Sequence, residues 1–196
     1  MKNFVFAILF SLVLSLCSFV FSDDVIDSIN EGIEQYKNKQ YKSAIESFEY
    51  ASGLLRQKRS EMLATFLPEA MIGWQSGEAE SSAITRAMFG GGISAKRKYT
   101  KGTSSVEINC MTDSPILQSM MILFTNPLFT QGEDTKMVRI NGQKAIVEYD
   151  KTLQSGKITI IVASKIIVTV KGTKVLKEDI ISYVEKIDFK AMTLFQ

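Results

Sequence analysis

The chain has 196 residues, of which 45% are hydrophobic and 22% are charged, an ordinary globular composition that excludes extended disorder. The formal net charge of +2 lacks the basic excess of a nucleic-acid-binding domain, so no nucleic-acid partner is expected. The sequence contains no histidine, which excludes Ser-His-Asp and Cys-His catalysis and removes the commonest metal ligand.

Residues 1–22 have the pattern of a signal peptide. Lys2 precedes an uncharged apolar run over residues 4–21, and Ser22 is small enough for cleavage directly before two aspartates. We therefore expect an exported protein, periplasmic or secreted, that is cleaved near Ser22. Two alternatives stay open: an uncleaved segment that anchors the chain in the membrane, or a lipid attached to Cys17.

Cysteine usage bears on both stability and chemistry. Cleavage would leave Cys110 alone, so we expect no internal disulfide and no structural zinc site. Cys110 lies in an apolar alternation, which predicts a small buried side chain rather than a reactive thiol. We expect no catalytic residues, no cofactor and no metal.

Residues 23–66 show helical periodicity in two consecutive stretches separated by a short Asn-Lys-Gln turn, which predicts an antiparallel helical hairpin. It resembles a single tetratricopeptide repeat, and the matching residues are Gly32, Tyr36, Tyr41, Ala44, Ile45, Phe48 and Ala51. The proline that usually follows the second helix is missing, and no second copy follows. The resemblance implies a protein-binding surface; the other interpretation is a plain hairpin whose pattern reflects packing.

Residues 67–196 form the second predicted region. Its boundary with the hairpin is marked by Pro68, which ends the preceding helix, and by Gly73, which gives a turn. A short helix is predicted at residues 78–89, a second over the segment DSPILQSMMILF and a third at residues 175–190. Alternating patterns predict strands at residues 106–110, 137–140, 144–150, 158–163 and 166–170, and Asn141–Gly142 is typical of a hairpin turn. We expect an α+β fold, an antiparallel sheet of about six strands packed with helices like an α/β/α sandwich.

Each predicted strand has two different faces. One face is apolar throughout, whereas the other mixes isoleucines with polar residues that include Glu107, Asn109, Glu148, Thr159 and Thr169. Such a pattern predicts one face in the core and partial cover on the other.

The three glycines Gly90, Gly91 and Gly92, followed by Lys96 and Arg97, suggest a phosphate-binding loop at first sight. The loop pattern requires a hydroxyl where Arg97 stands, and a helix that follows the glycines rather than precedes them. We therefore expect the glycines to end a helix and turn the chain into a strand.

Five residues are the candidate contacts to a partner or ligand: Trp74, Lys96, Arg97, Lys98 and Tyr99. On a strand, Lys96 and Lys98 share one face and Arg97 and Tyr99 the other. The two interpretations of the basic run are a solvated edge strand and a small patch for an acidic partner or lipid headgroups. Trp74 is either a plug of the core or the wall of a ligand site.

A family resemblance covers about the last two thirds of the chain. It rests on the consecutive segments LPEAMIGW, AMFGGG, RKY, DSPILQSMM, TNP, AIVEYD and KIDFKAM. In these segments, residues 67–195 resemble a family of uncharacterised exported bacterial proteins whose layout is similar to the Mog1/PsbP type of sandwich. The resemblance implies a non-enzymatic binding or assembly factor, with no established activity to carry over.

Three functions follow as hypotheses. The first is a non-enzymatic cell-envelope protein whose hairpin binds a protein partner. The second is a carrier of a small apolar ligand near Trp74, Phe89 and Tyr99, which a packed core at that place would count against. The third is a hydrolase of unusual type that uses Ser, Lys or Asp without histidine.

Overall fold

The structure, a computed structural model, describes residues 23–84, 92–126 and 134–195. They belong to two compact units, the first ending at Leu54 and the second beginning at Leu55. The predicted signal peptide with Cys17, the residue Phe89, and the glycines Gly90 and Gly91 lie outside the described residues.

The first unit contains the predicted pair of helices, α1 (Asp24–Lys37) and α2 (Tyr41–Ala64), the second of which continues past Leu54. The side chain of Asp23 caps α1 by accepting a hydrogen bond of 3.0 Å from the backbone N–H of Val25. Lys39 has a φ of 61° in the short turn between the helices. The N-cap at Asp23 and the apolar periodicity of both helices are therefore both consistent with the predicted helical hairpin.

The second unit is built on one antiparallel sheet. Its strands are β1 (Gln75–Ser76), β2 (Glu80–Ile84), β3 (Gly92–Lys101), β4 (Ser104–Thr112), β5 (Thr135–Ile140), β6 (Gln143–Asp150), β7 (Ser155–Val162) and β8 (Ile166–Thr173). Strands β1 and β2 both pair with β3, and the order continues β4, β8, β7, β6, β5. The predicted α+β class is confirmed, with eight strands in the described parts rather than about six.

The prediction of a helix at residues 78–89 is wrong for residues 78–84, the part of it that the structure describes. Glu80–Ile84 forms β2, which pairs with β3 from Gly92 to Lys96. The spacing of its alanines suits a helix, but five residues gain more from a full ladder of backbone hydrogen bonds than from a single helical turn. Strand β3 is therefore paired on both sides, by β1 and β2 and by β4, so the edge-strand interpretation of its lysines is wrong.

Two glycines match their predicted roles in turns and at strand ends. Asn141 and Gly142 have φ values of 48° and 77°, as a two-residue hairpin turn between β5 and β6 requires. Gly92 has a φ of 124°, and a Cβ there would lie 2.8 Å from the backbone oxygen of Thr112. Only glycine can begin β3 so close to its neighbour.

One face of the sheet, which we call the core face, packs against α4 (Lys177–Glu185) and α5 (Phe189–Thr193). The predicted helix over residues 175–190 is thus divided, with Asp188 capping α5 through the N–H of Ala191. Ile108, Ile160 and Val168 are fully buried on this face, and Cys110 is buried beside them as predicted. The opposite face, which we call the second face, carries α3 (Ile116–Thr125).

Candidate functional site

The hairpin of the first unit exposes many large apolar side chains. The fractions exposed are between 40% and 61% for the following residues: Ile26, Ile33, Tyr36, Tyr41, Ile45, Phe48 and Tyr50. Six of them, all but Tyr50, form what we call the hairpin surface. Large apolar side chains exposed next to one another mark an interaction site more often than a plain solvated surface.

Small residues explain why the hairpin surface stays exposed. Within residues 23–54, the buried positions of the two helices are Val25, Ser28 and Gly32 on α1 and Ala44 and Ala51 on α2. At Gly32 the helices are so close that a Cβ would lie 2.6 Å from the ring of Phe48. Helices that meet through small residues leave their larger apolar side chains at the margin of the contact.

The hairpin surface is continuous across the turn. Ile26, Ile33 and Tyr36 lie on one side of α1, since they are seven and three residues apart. Tyr41, Ile45 and Phe48 lie on one side of α2 by the same spacing rule. The rings of Tyr36 and Tyr41 meet with centroids 5.8 Å apart, which joins the two rows.

The hairpin is also acidic. Residues 23–54 contain seven Asp and Glu side chains and three lysines, a net charge of −4. The hairpin surface therefore combines apolar side chains with a negative field, which would favour a partner that carries basic residues beside apolar ones.

Trp74 and Tyr99, two of the predicted contact residues, meet in the second unit around Tyr183, which the sequence did not single out. The Tyr183 ring lies 5.4 Å from that of Trp74 and 4.4 Å from that of Tyr99, measured between centroids. Tyr99 and Tyr183 are fully buried, and Trp74 is 8% exposed. Tyr183 thus fills the space between Trp74 and Tyr99, and Trp74 belongs to the core. Phe89, the third residue of the predicted apolar ligand site, lies outside the described residues.

Arg97 lies on the same side of β3 as Tyr99, and both hold the backbone oxygen of Pro68. The Tyr99 hydroxyl donates to it at 2.6 Å and Arg97 Nη1 at 3.3 Å, while the same nitrogen lies 3.0 Å from a carboxylate oxygen of Glu69. Burial raises the pKa of the Tyr99 hydroxyl, so it stays a donor. These bonds tie β3 to the segment that follows α2, which is a structural role.

Lys96 and Lys98 lie on the second face, away from Arg97 and Tyr99. The ammonium of Lys96 is 3.0 Å from a carboxylate oxygen of Glu80 on β2, and this hydrogen bond raises the pKa of Lys96. Lys98 stands directly opposite Glu107 on β4. The five candidate residues therefore separate into two sets on opposite faces of one strand.

Strand register arranges the second face in rows across the sheet. An apolar row contains Met111, Ile167 and Ile161; a neutral polar row contains Asn109, Thr169 and Thr159; a charged row contains Lys98, Glu107, Lys171, Lys157 and Glu148. Helix α3 lies at the apolar row, and a cavity of about 190 Å³ opens between it and the neutral row.

No protein family, curated protein or solved structure matches this chain. Its function must therefore be argued from the arrangement of its own residues. None of the helices in the described parts of the chain is long and apolar enough to cross a membrane.

The described residues do not assemble a centre for metal or thiol chemistry. Among residues 23–84, 92–126 and 134–195, no group of three or more cysteine, aspartate and glutamate side chains is placed to hold a metal ion. Burial raises the pKa of the Cys110 thiol to about 12, which keeps it protonated and unreactive at neutral pH.

Proposed function

We propose that this chain is a non-enzymatic exported protein-binding module whose partner docks an apolar, basic helix on the hairpin surface. The observation that carries the proposal is the exposure of six large apolar side chains on a hairpin whose own helices meet through small residues. Burying six such side chains would contribute a large part of the binding free energy of an ordinary protein complex.

The geometry of the hairpin surface favours a helical partner. Its two rows run along neighbouring antiparallel helices and together form an apolar strip, on which an amphipathic helix with apolar residues at helical spacing can lie. The resemblance to one tetratricopeptide repeat supports the same occupant, because a repeat of this type normally covers its outer face with the next helix. The charge of −4 over residues 23–54 supports a basic one.

Site-specific crosslinking in the producing cells tests this proposal. A photoreactive amino acid would replace Ile45, which is 58% exposed on the hairpin surface, and in a matched variant Tyr50, which is 61% exposed. These two residues lie on nearly opposite sides of α2, five positions apart. We expect an adduct with one protein from position 45 and a much weaker one from position 50.

A second variant makes the result specific. Ile33→Gln removes an apolar contact from the hairpin surface at an exposed position, so folding should be little affected. We expect it to weaken the adduct formed from position 45. Equal adducts from positions 45 and 50, or none from either, would contradict the proposal.

A further inference from the structure

We propose that the cavity between α3 and the second face binds a small amphipathic carboxylate, with its tail against the apolar row and its head toward the charged row. The site lies wholly in the second unit and is separate from the hairpin surface. It does not depend on the proposed protein partner, and it lies on the other side of the sheet from Trp74 and Tyr99.

The cavity has two chemically different walls. Met111, Ile167 and, from α3, Ile116 and Met120 form the apolar wall. Helix α3 contains no buried residue although it is strongly apolar, and Ile116 is 42% exposed. A helix that covers the sheet this incompletely leaves room for a ligand tail to complete the apolar packing.

The neutral row supplies an unused hydrogen-bond acceptor. Asn109 Oδ1 is buried yet has no hydrogen-bond partner among the described residues. A buried polar atom without a partner is costly, and a ligand that donates a hydrogen bond to it removes this cost. Thr159 and Thr169, which stand beside Asn109 in the same row, also line the cavity.

The charged row supplies the binding partner for an anion. Lys157 lines the cavity and stands directly opposite Lys171 on β8, so that two like charges face each other across neighbouring strands. Lys157 is 2.8 Å from a carboxylate oxygen of Glu148, whereas Lys171, which also stands opposite Glu107 on β4, makes no ion pair within 4 Å with any described residue. The three lysines and two glutamates of the charged row leave one positive charge in excess. A carboxylate near both ammonium groups would balance this excess of positive charge.

The size of the cavity restricts the ligand. Apolar cavities near 150 Å³ are known to hold benzene, so about 190 Å³ suits a molecule of about eight or nine non-hydrogen atoms. A branched six-carbon acid with a hydroxyl beside its carboxylate has this size and all three recognition groups. We therefore choose 2-hydroxy-4-methylpentanoate as the probe, with 4-methylpentanoate lacking the hydroxyl donor and 4-methylpentanamide lacking both the hydroxyl and the charge while keeping N–H donors.

The test is a titration of the proposed mature chain, residues 23–196, with each probe, followed by NMR of its methyl groups. We expect saturable shifts at Met111, Met120 and Ile167 with a Kd of about 1 mM or tighter for the hydroxy acid. Lys157→Met should weaken its binding about tenfold and leave the neutral amide unaffected. Glu148→Gln should strengthen it a few-fold, because Lys157 then loses its competing carboxylate.

Lys98→Met is the matched control. It removes the same charge from the same row, but three strands away, about 14 Å at the usual strand spacing. We expect it to leave the affinity for all three probes unchanged. The proposal would be overturned by any of three results: no saturable shifts up to about 10 mM, equal weakening by Lys157→Met and Lys98→Met, or equal binding of the hydroxy acid and the amide. Unchanged dispersion of the methyl signals in the free variants establishes that the variants fold.

Discussion

Gly32 and Gly53 are both helical glycines of the first unit, yet replacing each with alanine should change stability in opposite directions. A Cβ at Gly53 would have nothing within 4 Å, whereas one at Gly32 would lie 2.6 Å and 2.8 Å from two ring carbons of Phe48. Ordinary contacts of this kind are 3.4–4 Å long, so the overlap at Gly32 approaches 1 Å.

The magnitudes follow from two opposing effects. Alanine in place of a helical glycine raises the free energy of unfolding by about 0.5–1 kcal/mol. This gain applies to both sites, because it comes from the lower backbone entropy of the unfolded chain. Overpacking costs about 1–3 kcal/mol, and Phe48 is 40% exposed and can tilt, which favours the lower end. We expect Gly53→Ala to stabilise the hairpin by about 0.5–1 kcal/mol and Gly32→Ala to destabilise it by up to about 0.5 kcal/mol, the remainder of an overpacking cost near 1 kcal/mol.

Hydrogen exchange of α1 and α2 amides in the full chain measures the free energy of opening of the hairpin itself. The double variant Gly32→Ala/Phe48→Leu should recover most of the loss, since the smaller side chain makes room for the new Cβ. If Gly32→Ala stabilised the hairpin as much as Gly53→Ala does, the close contact between the helices at Gly32 would be refuted.

Two further predictions concern the second unit. Tyr99→Phe should cost only about 1 kcal/mol in urea unfolding, because the oxygen of Pro68 keeps the donor of Arg97; a loss above about 3 kcal/mol would mean that this oxygen is left without a partner. The free energy of unfolding should fall as pH rises from about 9 toward 12. In the folded chain burial raises the pKa of the Cys110 thiol to about 12, so the thiol keeps its proton. In the unfolded chain the thiol loses its proton near pH 8.5, and this favours unfolding. Cys110→Ala should remove up to about 1.4 kcal/mol per pH unit of that slope between pH 9 and 10, and an unchanged slope would contradict the assignment.

Local patterns explain what could be predicted from the sequence. The apolar periodicity of α1 and α2 and the Asn141–Gly142 turn depend on neighbouring residues, and the structure contains both helices and the turn. The α+β class follows from the same signals. Strand β2 is not predicted because the spacing of its alanines, a local pattern, indicates a helix. Its strand conformation depends on backbone pairing with β3, which the local pattern does not reveal.

The candidate sites required information that no local pattern carries. Alternation places Asn109 and Thr159 on one face of their strands, but it does not reveal that β8 lies between β4 and β7. Only that order brings Asn109, Thr169 and Thr159 into one row beside the cavity. Tyr183 was missed likewise, because its contacts to Trp74 and Tyr99 join residues far apart in the chain.

The central position of β8 has a consequence for the order of events during synthesis. Strands β1–β4 and β5–β7 can each form by pairing of near neighbours, but β4 and β7 both require β8, which follows all the other described strands in the chain. About 60 residues separate the ends of β4 and β8, so a ribosome adding about 5–20 residues per second leaves the β4 edge unpaired for several seconds. Both half-sheets therefore keep an open edge, available for wrong pairing or for chaperones, until β8 is synthesised, and the sheet is completed only after residue 173 has been made.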